Sequence, residues 1–189
     1  VTGTADVGGF AGENSGVITS GSAAGTVTAT GGGTVAGGFV GTSSGDIYDS
    51  YTSANVEGKS HVGGFAGSSS GEVKRCYSLG SVTGGDYVGS FAGSISAADY
   101  VIGAGQVRRT AGEQGYVGGF AGNLGGTIVG LENQITIKDA FGNCTQPDGT
   151  NLTAAGNSSS FTTDSAKKVL EDMALDTGKE VSDKLYEMF

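Results

Sequence analysis

Val62-Gly63-Gly64-Phe65-Ala66-Gly67 is a hexapeptide that this chain writes five times with small changes. The other copies start at Val7, Ala36, Val88 and Val117, the last two reading Val-Gly-Ser-Phe-Ala-Gly and Val-Gly-Gly-Phe-Ala-Gly. Successive starts lie 29, 26, 26 and 29 residues apart. A period of that length is one supersecondary unit that cannot bury its apolar face alone and buries it on its neighbours instead. The spacing therefore predicts a solenoid-like array.

Working outward from the hexapeptide, further positions recur. A glycine follows nine residues after its first position at Gly16, Gly45, Gly71 and Gly126. Two residues on stands a β-branched residue (Ile18, Ile47, Val73, Ile128), and nine further on another (Val27, Val56, Val82, Ile137). In the fourth unit Val101 and Val107 are assigned these roles at a shorter interval. Each unit thus offers three strand-like pieces between Gly/Ser/Asn turns, in unit two 36–41, 47–51 and 54–57. Three pieces per repeat fit one coil of a three-sided, right-handed parallel β-solenoid (a β-helix), and five coils would stand about 24 Å tall. In-register stacking makes a column of Phe10, Phe39, Phe65, Phe91 and Phe120. Treated as one strand, the hexapeptide sends Phe to the face opposite its Val and Ala, yet both sets are apolar. The flanking glycines favour an inward Phe stack; the alternative is an exposed aromatic platform.

Composition agrees. Seventeen Val and eight Phe against seven Leu favour strands, and 38 Gly with one Pro and no Gly-X-Y period exclude collagen. A net charge of −9, split −5 up to Thr145 and −4 beyond, argues against a nucleic-acid partner. No apolar run reaches membrane-spanning length, so no membrane insertion by this segment is expected. The chain opens at Val1 inside repeat-like sequence, so it is expected to be part of a longer polypeptide. Cys76 and Cys144 fall two rungs apart and are expected to be free thiols. The single histidine, His61, has no Cys or His at ligand spacing, and no His-Glu-x-x-His stretch exists, so neither a metal nor another cofactor is expected. The solenoid is assigned to 1–145. Beyond it, 146–189 is expected to be a polar linker and a helical cap starting near Ser165, with Val169, Leu170, Met173 and Ala174 on one face to cover the solenoid's end.

Gly38-Phe39-Val40-Gly41 through Ser44-Gly45-Asp46-Ile47 to Tyr51, and Gly64-Phe65-Ala66-Gly67 through Ser70-Gly71-Glu72-Val73 to Tyr77, resemble the GLUG-motif repeats of bacterial surface proteins. The likeness covers residues 7–138. Phe stands where those repeats customarily carry Leu, and unit four lacks the second Gly and the tyrosine. Such repeats occur in secreted or wall-attached adhesin-like chains and in IgA-specific metalloendopeptidases, as non-catalytic extensions. The resemblance implies a bacterial cell-surface or secreted location and a scaffold on which sites are grafted.

Candidate sites follow from where the units lengthen. The step from the third strand to the next hexapeptide is nine, six, six and ten residues, and the long steps carry 31–33 and 108–114. Lengthened turns gather on one edge of a repeat array, which is a common binding surface. His61, Tyr87, Arg108, Arg109, Glu113 and Tyr116 are therefore the candidate ligand-binding edge, for a host glycan or a matrix or surface protein. The competing reading is a carbohydrate-active β-helix enzyme, a polysaccharide lyase or hydrolase, built on the like-charged Asp46 and Glu72. Asp49 and Arg75 fall on adjacent rungs and are expected to form an ion pair. The expected function is a non-catalytic, adhesin-like binding surface or rigid stalk within a larger protein.

Overall fold

The computed structural model describes residues 1–110, 115–125, 152–153, 155–156, 168 and 170–171, and the backbone of 136–142. Among these residues the chain is a parallel β-solenoid of about five coils. A hexapeptide sheet holds Val7–Gly8, Val35–Gly37, Ser60–Gly63, Val88–Gly89 and Val117–Gly118. A valine sheet holds Thr2–Gly3, Thr26–Ala29, Asn55–Glu57, Val82–Gly84 and Val107–Arg109. A long sheet joins the remaining strands, including Ala66–Ser78 and Ala92–Gly103, which bend through three successive positions of the coil. Every pairing is parallel, with Val7 beside Ala36, Ala36 beside Val62, Val62 beside Val88 and Val88 beside Val117. Equivalent residues of successive units stack directly.

The hexapeptide is not one strand. Its first two residues lie in the hexapeptide sheet, its last two begin the long sheet, and Gly-Phe between them turns the corner. Alternation along a single strand therefore does not govern it, and Val62, Phe65 and Ala66 are all fully buried. The hexapeptide phenylalanines point inward. Phe39, Phe65, Phe91 and Phe120 are 0% exposed, and ring centroids from Phe10 upward are separated by 4.7, 4.8, 5.0 and 5.4 Å. The interior forms two clusters, one around the Phe column with Val40, Ile47, Val73, Cys76 and Ile95, the other around Val27, Val56, Val62, Val82 and Val107.

Close stacking explains the glycine at the third hexapeptide position. A Cβ on Gly38 would collide with the Gly64 carbonyl oxygen, and one on Gly64 with that of Ser90. Unit four breaks the rule by exchanging partners across the interior. Thr52 and Ser78 share a column with Gly103. Thr52 donates to the Gly38 carbonyl at 3.1 Å, and Ser78 to the Ser90 carbonyl at 2.8 Å. In coil four the hydroxyl sits instead on the hexapeptide residue: Ser90 Oγ donates to the Gly103 carbonyl at 2.7 Å, and glycine at 103 leaves the room for it.

Three assignments change. Val101 stacks on Cys76, and Ala98 takes the Ile47–Val73 position in coil four, while Val107 falls over Val82 as expected. Ile137 pairs beside Ala98, in the Ile18 column rather than the Val27 column. Coil five therefore carries an insertion: Leu124 and Thr136 stack over Ile95 and Ala97, which are adjacent but one in sequence. The stack also continues past residue 145. Thr153 accepts from Gly119 N at 2.7 Å, Gly156 N donates to Ala121 O at 2.9 Å, and Ala155 bridges Ala121 in parallel. Leu152 packs on the valine cluster and Ala155 on the Phe cluster, so Leu152, Thr153, Ala155 and Gly156 occupy strand positions of a shortened sixth hexapeptide, whose sequence has no Phe. Of the predicted terminal helix, Lys168, Leu170 and Glu171 are helical and the other residues lie outside those described. Cys76 is free and buried; Cys144 lies outside the described residues.

Candidate functional site

The corner that leads into each hexapeptide brings together four of the six residues of the predicted edge. His61 and Tyr87 stack at 4.5 Å with planes 17° apart, and Tyr116 follows Tyr87 at 5.6 Å, tilted by 42°. A register shift between Ser60 and Val62 makes His61 the bulged residue of its strand, and His61 and Tyr87 take left-handed φ of 35° and 49°. The bulge turns the His61 ring out of the sheet while Val62 stays buried. Ser60 Oγ lies 3.0 Å from His61 Nδ1. Burial pushes the imidazole below its ordinary pKa, and the Asp86 carboxylate works against that shift.

Arg109 joins this corner, its guanidinium donating to the Gly115 carbonyl beside Tyr116. Arg108 does not. It stands in register with Thr83, Glu57 and Thr28 on the outer face of the valine sheet. Glu113 lies outside the described residues. The ladder's geometry limits what it can bind. Tyr87 has a ring on either side, so it offers solvent an edge rather than a face, whereas Tyr116 is 51% exposed. Tyr116 is therefore the exposed ring of this ladder on which a flat apolar ligand surface can stack.

A second polar surface lies on the outside of the long sheet. The residues at its corner, Ser20, Asp49, Arg75 and Tyr100, all have φ between 51° and 58°. The expected Asp49–Arg75 pair is present and bidentate, with Nε to Oδ1 at 2.6 Å and Nη2 to Oδ2 at 2.8 Å. Beside it Lys74 reaches Asp99 at 3.1 Å and lies 5.2 Å from the centre of the Tyr100 ring. Asp46 and Glu72 are neighbours, as their spacing implied, and both are engaged. Asp46 Oδ1 accepts from Glu72 N at 2.9 Å, and the Tyr48 hydroxyl lies 2.8 Å from Glu72 Oε2 and 3.3 Å from Asp46 Oδ2. The Glu72 hydrogen bond, then desolvation and the two carboxylate charges, raise the Tyr48 phenol to about 12. The phenol stays protonated and bridges two coils.

The Tyr51–Tyr77 stack, at 5.0 Å and 10°, completes this surface. Sequence reasoning quoted both tyrosines without pairing them, although their 26-residue spacing equals the repeat. Among the described residues no three of His, Cys, Asp and Glu group as metal ligands would, and no helix is long and apolar enough to cross a membrane. Compared with known proteins, the chain matches no family model, none of the curated proteins and none of the solved structures.

Proposed function

We propose that this chain is a non-catalytic, adhesin-like repeat module of a secreted or cell-surface bacterial protein, a rigid rod presenting side-chain ladders to a host glycan or matrix protein. The observation that carries this is the continuous column of stacked, fully buried Phe rings, which ties successive coils into one stiff body. The likeness to GLUG-motif repeats supports the location. The binding edge is the corner of His61, Tyr87, Arg109 and Tyr116, with Arg108 on the outer face of the adjoining valine sheet. Tyr116 supplies the half-exposed ring of this corner, and Arg109 a cation near it.

The enzyme reading draws less support. Asp46 and Glu72 are held by hydrogen bonds that knit adjacent coils, which is a structural use of both carboxylates. The test is adhesion of the purified chain to arrayed host glycans and matrix proteins. Tyr116→Ala and the Arg108→Ala/Arg109→Ala pair are each expected to weaken capture by about tenfold, the loss of one good contact. Capture that both variants leave unchanged removes this edge. Release of reducing or unsaturated sugars, abolished by Glu72→Gln, replaces the reading with the enzymatic one.

A further inference from the structure

The two ends of the stack differ. At the far end Thr153, Ala155 and Gly156 lie over coil five, and Phe120 is 0% exposed. At the near end Phe10 stacks on Phe39 on one side and is 51% exposed. Val17 is 68% exposed in the same coil, and Ala11, Ile18 and Ala23 are partly buried hydrophobics packed on the Phe cluster. Val7–Gly8 ends its sheet, and Ala11–Asn14, Ile18–Thr19 and Ser22–Ala23 pair only with the coil above. Edges of this kind are normally blunted by lysine, proline or a covering segment. Coil one has neither Lys nor Pro, and among the described residues no strand pairs beneath its hexapeptide sheet or its long-sheet strands.

One strand position below coil one is already filled. Thr2 and Gly3 pair beneath Thr28 and Ala29, placing Val1 below Val27 and six residues before the hexapeptide, as Val56 and Val82 precede theirs. Thr2–Gly3 thus starts a further layer on the valine sheet, leaving the layer empty under the hexapeptide sheet and the long sheet.

We propose that the near end is a docking surface for one further coil of this repeat type, seated in parallel register with its own Phe against the open face of Phe10. The new interface continues the coil–coil interface already repeated through the molecule, with the same backbone ladder and ring stack. A second copy of the chain placed end to end does not fit it. The Thr2–Gly3 strands would hold the copies apart at one sheet only, and Asp6 and Glu13 would face their own like charges with no Lys or Arg before Lys59. This docking is independent of what the side-chain ladders bind.

The test fuses a copy of residues 62–81 directly ahead of Val1, which sets the added Phe 26 residues before Phe10, the period of the central units. Amide-exchange protection over Val7, Ala11, Ile18 and Ala23 should rise by about tenfold or more, since end positions exchange through local opening. The thermal midpoint should rise with it, and Phe→Asp in the added copy should cancel both gains. Unchanged protection in a fused chain that folds normally overturns the proposal. A concentration-dependent dimer of the unfused chain in sedimentation, lost in Phe10→Asp, overturns it in favour of a second copy; a monomer in that measurement is the expected result.

Discussion

Phe65 and Phe10 occupy the same column in different surroundings. Phe65 has a ring on each side and no exposure, whereas Phe10 has one ring neighbour and is half in water. Truncating a fully buried Phe removes both its transfer energy and its packing, so Phe65→Ala should cost about 3–5 kcal/mol. Phe10→Ala should cost about 1–2 kcal/mol, because much of its area never left solvent. Urea midpoints at an unchanged m-value check the ratio, and equal losses would contradict the column as drawn. His61 gives a pH dependence. Burial lowers its folded pKa below the ordinary 6.5, so the folded state prefers the neutral ring and binds fewer protons than the unfolded chain between the two values. Stability is whole above the unfolded pKa and falls as pH drops through 6.5 toward the lowered value. His61→Gln should flatten that slope in urea titrations between about pH 5 and pH 7, the range where imidazoles titrate.

Among the elements, the corners carry the information that the sequence disguises. The spacing of Val7, Ala36, Val62, Val88 and Val117 was legible because parallel in-register pairing preserves it unchanged. The Phe column and the Asp49–Arg75 pair followed from the same rule. The bend inside the hexapeptide was not legible: the glycines that permit it look the same as glycines that merely allow close packing. Ile137 was assigned to the wrong column because two positions of the coil both select β-branched residues, and the insertion before Thr136 shifted the count. Nor could spacing show that Ser90 and Gly103 compensate each other, since they are brought together only when the coil closes. That exchange is testable. Gly103→Ser sets a side chain against Ser90 Oγ and should cost about 1–3 kcal/mol as overpacking. In a Ser90→Gly background the same change rebuilds the Ser78-type arrangement and should recover most of the loss. A double-mutant cycle with a coupling near zero would show that the two positions are independent.

For the whole molecule, stability is close to a sum of coil terms and coil–coil interfaces, so the end layers have the fewest partners. The shortened sixth hexapeptide matters for that reason. It supplies hydrogen bonds to Gly119 and Ala121, places Ala155 over Ala121 in the Phe cluster and packs Leu152 on the valine cluster. Its missing Phe ends the ring stack, and a chain written with six full copies would instead offer another open ring. A chain ended at Thr145 loses this layer together with Leu170, which is 2% exposed. Removing one well-buried leucine, one partly buried leucine and an alanine should cost about 2–4 kcal/mol. It should also leave Phe120 exposed beside unpaired strand edges, with the outcome that such edges share, self-association. Urea unfolding reads the first effect and light scattering against concentration the second. Restoring 146–156 alone should recover the part due to Leu152 and Ala155, whereas an unchanged midpoint after truncation would show that Leu152 to Gly156 rest on the stack without stabilising it.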